Sequence, residues 1–138
     1  ALIEFAESLE DAAEKTVEKK WEPRLAESEN LESAGKALIE KRIKGEQSCE
    51  YRRLRDLFLS MIHAYFAQLA LLVSNTPAEL LPNPELFEKS IRQSEAEEFG
   101  ADRAFRCLAY AEDLLRAMRT NANDQLAIRA FCLKIAFK

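Results

Sequence analysis

Turn-forming residues are so scarce in this chain that long helices are almost the only structures open to it. Three glycines (Gly35, Gly45, Gly100) and four prolines (Pro23, Pro77, Pro82, Pro84) punctuate 138 residues. An all-β chain needs turn residues every 8–12 positions or so. Between the breakers, Ala, Leu, Glu, Lys and Arg dominate, all of them strong helix formers. An apolar share of 48% is enough for a real core in one domain's length of chain. The expectation is an all-α bundle of about five helices, one of them long.

Periodicity places the helices. Leu2, Phe5, Leu9, Ala13, Val17 and Trp21 recur at spacings of three or four, which predicts a helix over 2–22. Pro23 should end or kink it, since proline disfavours helical geometry in the residue before it. The polar stretch 24–33 reads as loop or frayed helix. A long helix over about 31–74 comes next. Its first half is charged and holds Gly45. Its second half carries Leu54, Leu57, Phe58, Met61, Ile62, Tyr65, Phe66, Leu69, Leu72 and Val73, a stripe wide enough to sit centrally in a core. Pro82-Asn83-Pro84 opens a helix over 84–99 anchored by Leu86, Phe87, Ile91 and Phe99, and Gly100 stops it. Asp102 is placed to cap a helix over 102–120 with Phe105, Leu108, Ala111, Leu115 and Met118 facing inward. Asn123 is placed to cap the last helix. There Leu126, Ala130, Leu133 and Phe137 share a face, while Ile128, Phe131 and Ile135 lie on adjoining ones. A helix apolar on several sides should be buried against more than one surface. The domain reading is an N-terminal helix and linker over 1–30, then a helical domain over 31–138. The chain opens at Ala1 already in helical pattern, which reads as a start inside a longer protein.

Composition and motifs narrow the chemistry. The net charge is −4, with 13 acidic and 8 basic groups in residues 1–50 and 11 and 12 in the remainder. No whole-surface footprint for nucleic acid follows, and DNA contact reduces to a local patch at Arg52, Arg53 and Arg55 that Glu46, Glu50 and Asp56 should partly neutralise. The longest continuous apolar stretch, Ala64 to Val73, is interrupted by Gln68, so no membrane span and a cytoplasmic protein are expected. Cys49, Cys107 and Cys132 are widely spaced and read as reduced, mostly buried thiols. The one histidine, His63, reads as a hydrogen-bonded core or interface ring. No phosphate-binding glycine loop is present, and no cofactor is expected. Glu95 and Glu98, with Glu7 and Glu10 or Glu4, have the spacing of a Mg²⁺-dependent helical pyrophosphatase. Acid-rich helices generate such pairs by chance, and a solvated face is the simpler reading.

The last 55 residues carry a more specific pattern. Leu81-Pro82-Asn83-Pro84 leads into an acidic helix. A helix ending in 111–119 then runs through Asn121-Ala122-Asn123 into Leu126-Ala127 and a last apolar helix through Phe131, Leu133 and Ile135. This resembles the closing segment of bacterial DNA polymerase III clamp-loader subunits, the delta-prime type more than gamma/tau. The resemblance implies a non-catalytic collar domain of five helices that joins loader subunits in a ring while the sliding clamp is loaded onto DNA. It implies subunit contacts at Asn121, Asn123, Leu126, Ala127, Phe131, Leu133 and Ile135. The competing reading is a free-standing helical adaptor or regulatory protein.

Overall fold

The computed structural model describes residues 2–85, 93–120 and 123–137, with backbone only for 93–95. Among them are five α-helices and no strand: α1 Leu2–Glu27, α2 Ser33–Val73, α3 Gln93–Phe99, α4 Ala101–Met118 and α5 Asp124–Ala136. The fold is all-α with one long helix, as the composition requires. The anchors Leu86, Phe87 and Ile91 lie outside the described residues. Two compact units, Ala1–Phe58 and Leu59–Lys138, divide the chain, and α2 contributes to both. The division falls inside the long helix, and α1 packs against the charged half of α2.

In the first unit α1 and the start of α2 run antiparallel. Phe5 meets Phe58 with ring centroids 5.2 Å apart at one end, and Trp21 meets Arg42 and Glu46 at the other. Leu9, Ala13, Val17 and Trp21 are the buried face of α1. Each follows the last by four residues, so they stack along one side of the helix. Pro23 does not end α1, which runs on to Glu27. Proline removes one intrahelical bond, but Arg24 keeps a reason to stay helical: its guanidinium lies 5.3 Å from the Trp21 ring centroid. A 3₁₀ turn, Ser28–Asn30, then makes the break.

Glu46 closes this hairpin. Its Oε2 accepts from Lys20 Nζ at 2.7 Å and from Trp21 Nε1 at 3.0 Å. The two donors hold its carboxyl below the ordinary 4.5, Lys20 contributing most and Trp21 next.

The end of α2 is built by local backbone chemistry. Asn75 takes φ +57°, a left-handed conformation that asparagine tolerates. Its N–H donates to the Leu72 carbonyl at 3.0 Å, and the Thr76 N–H donates to the Leu71 carbonyl at 3.1 Å. This is the Schellman closure, which satisfies carbonyls that the last turn leaves orphaned.

The second unit has one core. Leu59, Ile62, Phe66, Leu69, Ala70 and Leu72 come from α2, Ala96 from α3, Ala104, Cys107, Ala111, Leu114 and Met118 from α4, and Ile128 and Phe131 from α5. Gln68 is buried with them, 2% exposed. Its amide is fully used: Nε2 donates to the Asn83 carbonyl at 2.6 Å and Oε1 accepts the Asn83 N–H at 3.1 Å. The clamp ties the Pro82-Asn83-Pro84 connection to α2 and removes the cost of burying an amide.

Three local expectations change here. The inward stripe of α4 keeps Ala111 and Met118, but Ala104, Cys107 and Leu114 face in where the sequence predicts Phe105, Leu108 and Leu115, and Phe105 faces out. Small residues on the inner side let the neighbouring helices come close, which a stripe chosen by size misses. Gly100, not Asp102, occupies the N-cap of α4; its φ of +84° lies where glycine alone is unstrained. On α2 only part of the wide stripe is inside, since Leu57, Met61 and Tyr65 are exposed.

One 18-residue window of α2 is, by length and composition, apolar enough to cross a membrane, contrary to the count of continuous apolar residues. Averaging tolerates His63 and Gln68, where an unbroken run does not. One side of the stretch is in the core, where Leu59, Ile62, Phe66, Leu69 and Leu72 are buried, and 39% of the window is buried in all.

The Glu46 contacts have a pH consequence. A folded-state carboxyl held below its unfolded value contributes stability above that value and loses it as pH falls through the folded one. Emission of Trp21, the single tryptophan, should shift in a transition centred below pH 4.5. Glu46→Gln should abolish that transition and lower the melting temperature at pH 7. An unchanged transition in the variant would refute the assignment.

Candidate functional site

The last helix is a place where the structure leaves apolar surface open in an ordered pattern. Its start is fixed by Asn123, whose side chain accepts the Leu126 N–H at 3.0 Å, the cap that the sequence indicated. Its rotation is fixed by the core. Phe131 is 3% exposed and meets Phe66 nearly edge-on, with ring centroids 6.0 Å apart and planes at 75°. Ile128 is buried beside it. An edge-on aromatic pair adds about 0.5–1.5 kcal/mol to the burial of its rings.

With that side inward, the opposite side is forced outward. Leu126 is 68% exposed, Leu133 60% and Phe137 77%, and Ala130 between them is exposed too. At 3.6 residues per turn the four fall within an arc of about 60°. Spacings of four, three and four are those of a helix seam that buries itself in another helix. Arg129 and Lys134 flank the strip and are exposed.

The seven expected contact residues therefore separate. Leu126 and Leu133 stand on the outer strip. Ala127 is half-buried at its margin, and Ile135 is half-buried on the opposite side, between Phe131 and Ile128. Phe131 belongs to the core of its own unit and is unavailable to a partner as placed. The Asn123 side chain is spent on the cap, and Asn121 lies outside the described residues. Ala130 and Phe137 join the strip; their periodicity with Leu126 and Leu133 was visible in the sequence.

Beside the strip, α4 and α5 enclose a cavity of about 270 Å³ lined by Arg103, Arg106, Cys107, Tyr110, Lys134 and Phe137. Lys134 Nζ lies 5.4 Å from the Tyr110 ring centroid, and the Arg103 guanidinium lies 4.4 Å from that of Phe99. Among the described residues the lining has three cations and no carboxylate. Arg103 Nε is buried without a hydrogen-bond partner among the described residues. Burial pushes the Cys107 thiol up, and Arg103 and Arg106 oppose that shift. Burial likewise raises Cys132. Cys49, expected inside, is exposed.

The other candidate residues are dispersed. Arg53 is held by Glu50 through two bonds of 2.9 and 2.7 Å, and Glu50 is lowered in turn, chiefly by its bond to Arg53. Arg55 pairs with Asp56 at 3.1 Å. Of the basic patch, Arg52 and Arg53 are exposed and Arg55 is half-buried. His63 Nε2 stands 3.9 Å from Glu112 Oε1, beyond hydrogen-bond reach, so the expected ring hydrogen bond is not formed there. Glu4, Glu7, Glu10, Glu98 and Asp102 are exposed, and the Glu95 side chain is outside the described set. Among the described residues no three His, Cys, Asp or Glu side chains are grouped to hold a metal ion.

The two sides of α5 should respond oppositely to substitution. Phe131→Ala should cost about 3–5 kcal/mol of unfolding free energy, because it opens a cavity in a packed core. Leu133→Asp should change stability by no more than about 0.5 kcal/mol, as for other surface changes. Urea unfolding of both variants checks this, and a large loss with Leu133→Asp would mean that the strip is not on the surface.

Compared with known proteins, the chain matches no family model, no curated protein and no solved structure.

Proposed function

We propose that this chain is a non-catalytic helical assembly module that docks other proteins through the outer side of α5, and that the assembly is a clamp-loader collar. One observation carries the docking part: Leu126, Ala130, Leu133 and Phe137 form a continuous outward strip on a helix already anchored by its other side. Large apolar side chains in seam register, held in water by a fixed helix, favour a partner surface. Burying them would stabilise a complex by about 25 cal/mol per Å² of apolar area removed from water, before association costs are subtracted.

The clamp-loader part rests on the resemblance of the last 55 residues, above all the Asn-x-Asn turn before the final helix. The all-α architecture, with a long helix preceding that segment, is compatible with it. In this reading the chain holds loader subunits together in the cytoplasm, takes no cofactor, and leaves ATP hydrolysis and DNA contact to other modules.

The test is assembly. Purified chain mixed with the remaining clamp-loader subunits of its own organism should co-migrate in one complex on size exclusion. Leu126→Asp with Leu133→Asp should release it while its helical circular dichroism stays unchanged. A chain that elutes alone from that mixture would sink the clamp-loader reading. A double variant that still assembles would sink the role of α5.

A further inference from the structure

The geometry points to an acidic amphipathic helix of another protein as the occupant of the α5 strip, with carboxylates of that helix entering the cationic cavity between α4 and α5. The inference rests on the reading of α5 as a docking face and adds the chemistry of the partner.

Three observations support it. The strip has helix-seam spacing, so the complementary surface is another helix. The positions beside the seam are Arg129 and Lys134, both exposed. Such flanking positions select partners by charge. The α5 of a second copy is a poor match. Parallel pairing of two α5 helices sets Arg129 of one copy against Lys134 of the other, and antiparallel pairing sets each cation against its own kind. Like charges face each other either way, which opposes self-association.

The cavity extends the same preference. Phe137 belongs to both the strip and the cavity, and Lys134, which flanks the strip, lines the cavity too, so the two are continuous. Arg103 and Arg106 add positive charge on the α4 side. Among the described residues neither they nor Lys134 has an ion-pair partner. Guanidinium and ammonium groups bind carboxylates with charge-assisted hydrogen bonds, and an incoming Glu or Asp would meet Arg106 and Lys134 at the cavity lining.

Two synthetic three-heptad peptides test this. Both carry Leu at the seam positions; one has Glu at the flanking positions and the other Lys. Fluorescence anisotropy with the full chain should show saturable binding of the Glu peptide, weakening as salt is raised. Lys134→Glu or Arg106→Glu should loosen it roughly tenfold or more, and Leu133→Asp should remove it. The Lys peptide should bind at least about tenfold more weakly. If both peptides bind equally and Leu133→Asp abolishes both, α5 is a docking face and the acidic partner is wrong. If neither peptide binds, the acidic-helix partner is refuted, and release of the complex by the Leu126 and Leu133 variants then decides the docking face separately. Sedimentation of the wild-type chain as a stable dimer through α5 would likewise overturn the preference for a different partner.

Discussion

Phe131 seated against Phe66 is the contact on which the functional surface depends. A helix apolar on one side turns that side inward and leaves nothing to decide. The last helix here is apolar on two opposite sides, and hydrophobicity alone does not say which goes in. Ile128 and Phe131 take the inner place because an aromatic ring from α2 meets Phe131 there. Once they do, Leu126, Leu133 and Phe137 are committed to the outside. The open strip is the geometric complement of the core contact.

The inner surface of α4 follows the same logic. Ala104, Cys107 and Ala111 present short side chains, so bulk enters this core from α2 and α5. Phe105, the largest apolar residue of α4, is left outside. Gln68 shows how the unit handles a polar residue within that bulk. One amide answers both backbone groups of Asn83, so the connection after α2 is fixed by a side chain without regular backbone pairing.

Much of this was legible in the residues. The absence of turn formers made the fold all-α. The cap at Asn123 follows from asparagine chemistry that sequence displays directly, and the same chemistry at Asn75 closes the C-terminal end of α2. Positions dependent on neighbours were not legible. The inward stripe of α4 keeps three-and-four spacing, so periodicity alone does not distinguish Phe105 from Ala104. Pro23 marks a helix end in the sequence, but Trp21 and Arg24 hold the helix past it. The division inside α2 was hidden because α2 is helical throughout. Of the candidate contact residues, sequence groups Leu126, Leu133 and Phe131 together; the structure exposes the first two and buries the third, whose burial depends on Phe66, 65 positions earlier. The cationic cavity was missed because Arg103, Arg106 and Lys134 come from two helices and form no motif along the chain.

The account turns on whether the outer side of α5 is covered when the protein works. Hydroxyl-radical footprinting, read by mass spectrometry on the free chain and on the assembled complex, addresses that residue by residue. Leu126, Leu133 and Phe137 should be oxidised readily in the free chain and protected on assembly, with Ile128 and Phe131 protected in both states. Equal oxidation of the three outer residues before and after assembly would contradict the account.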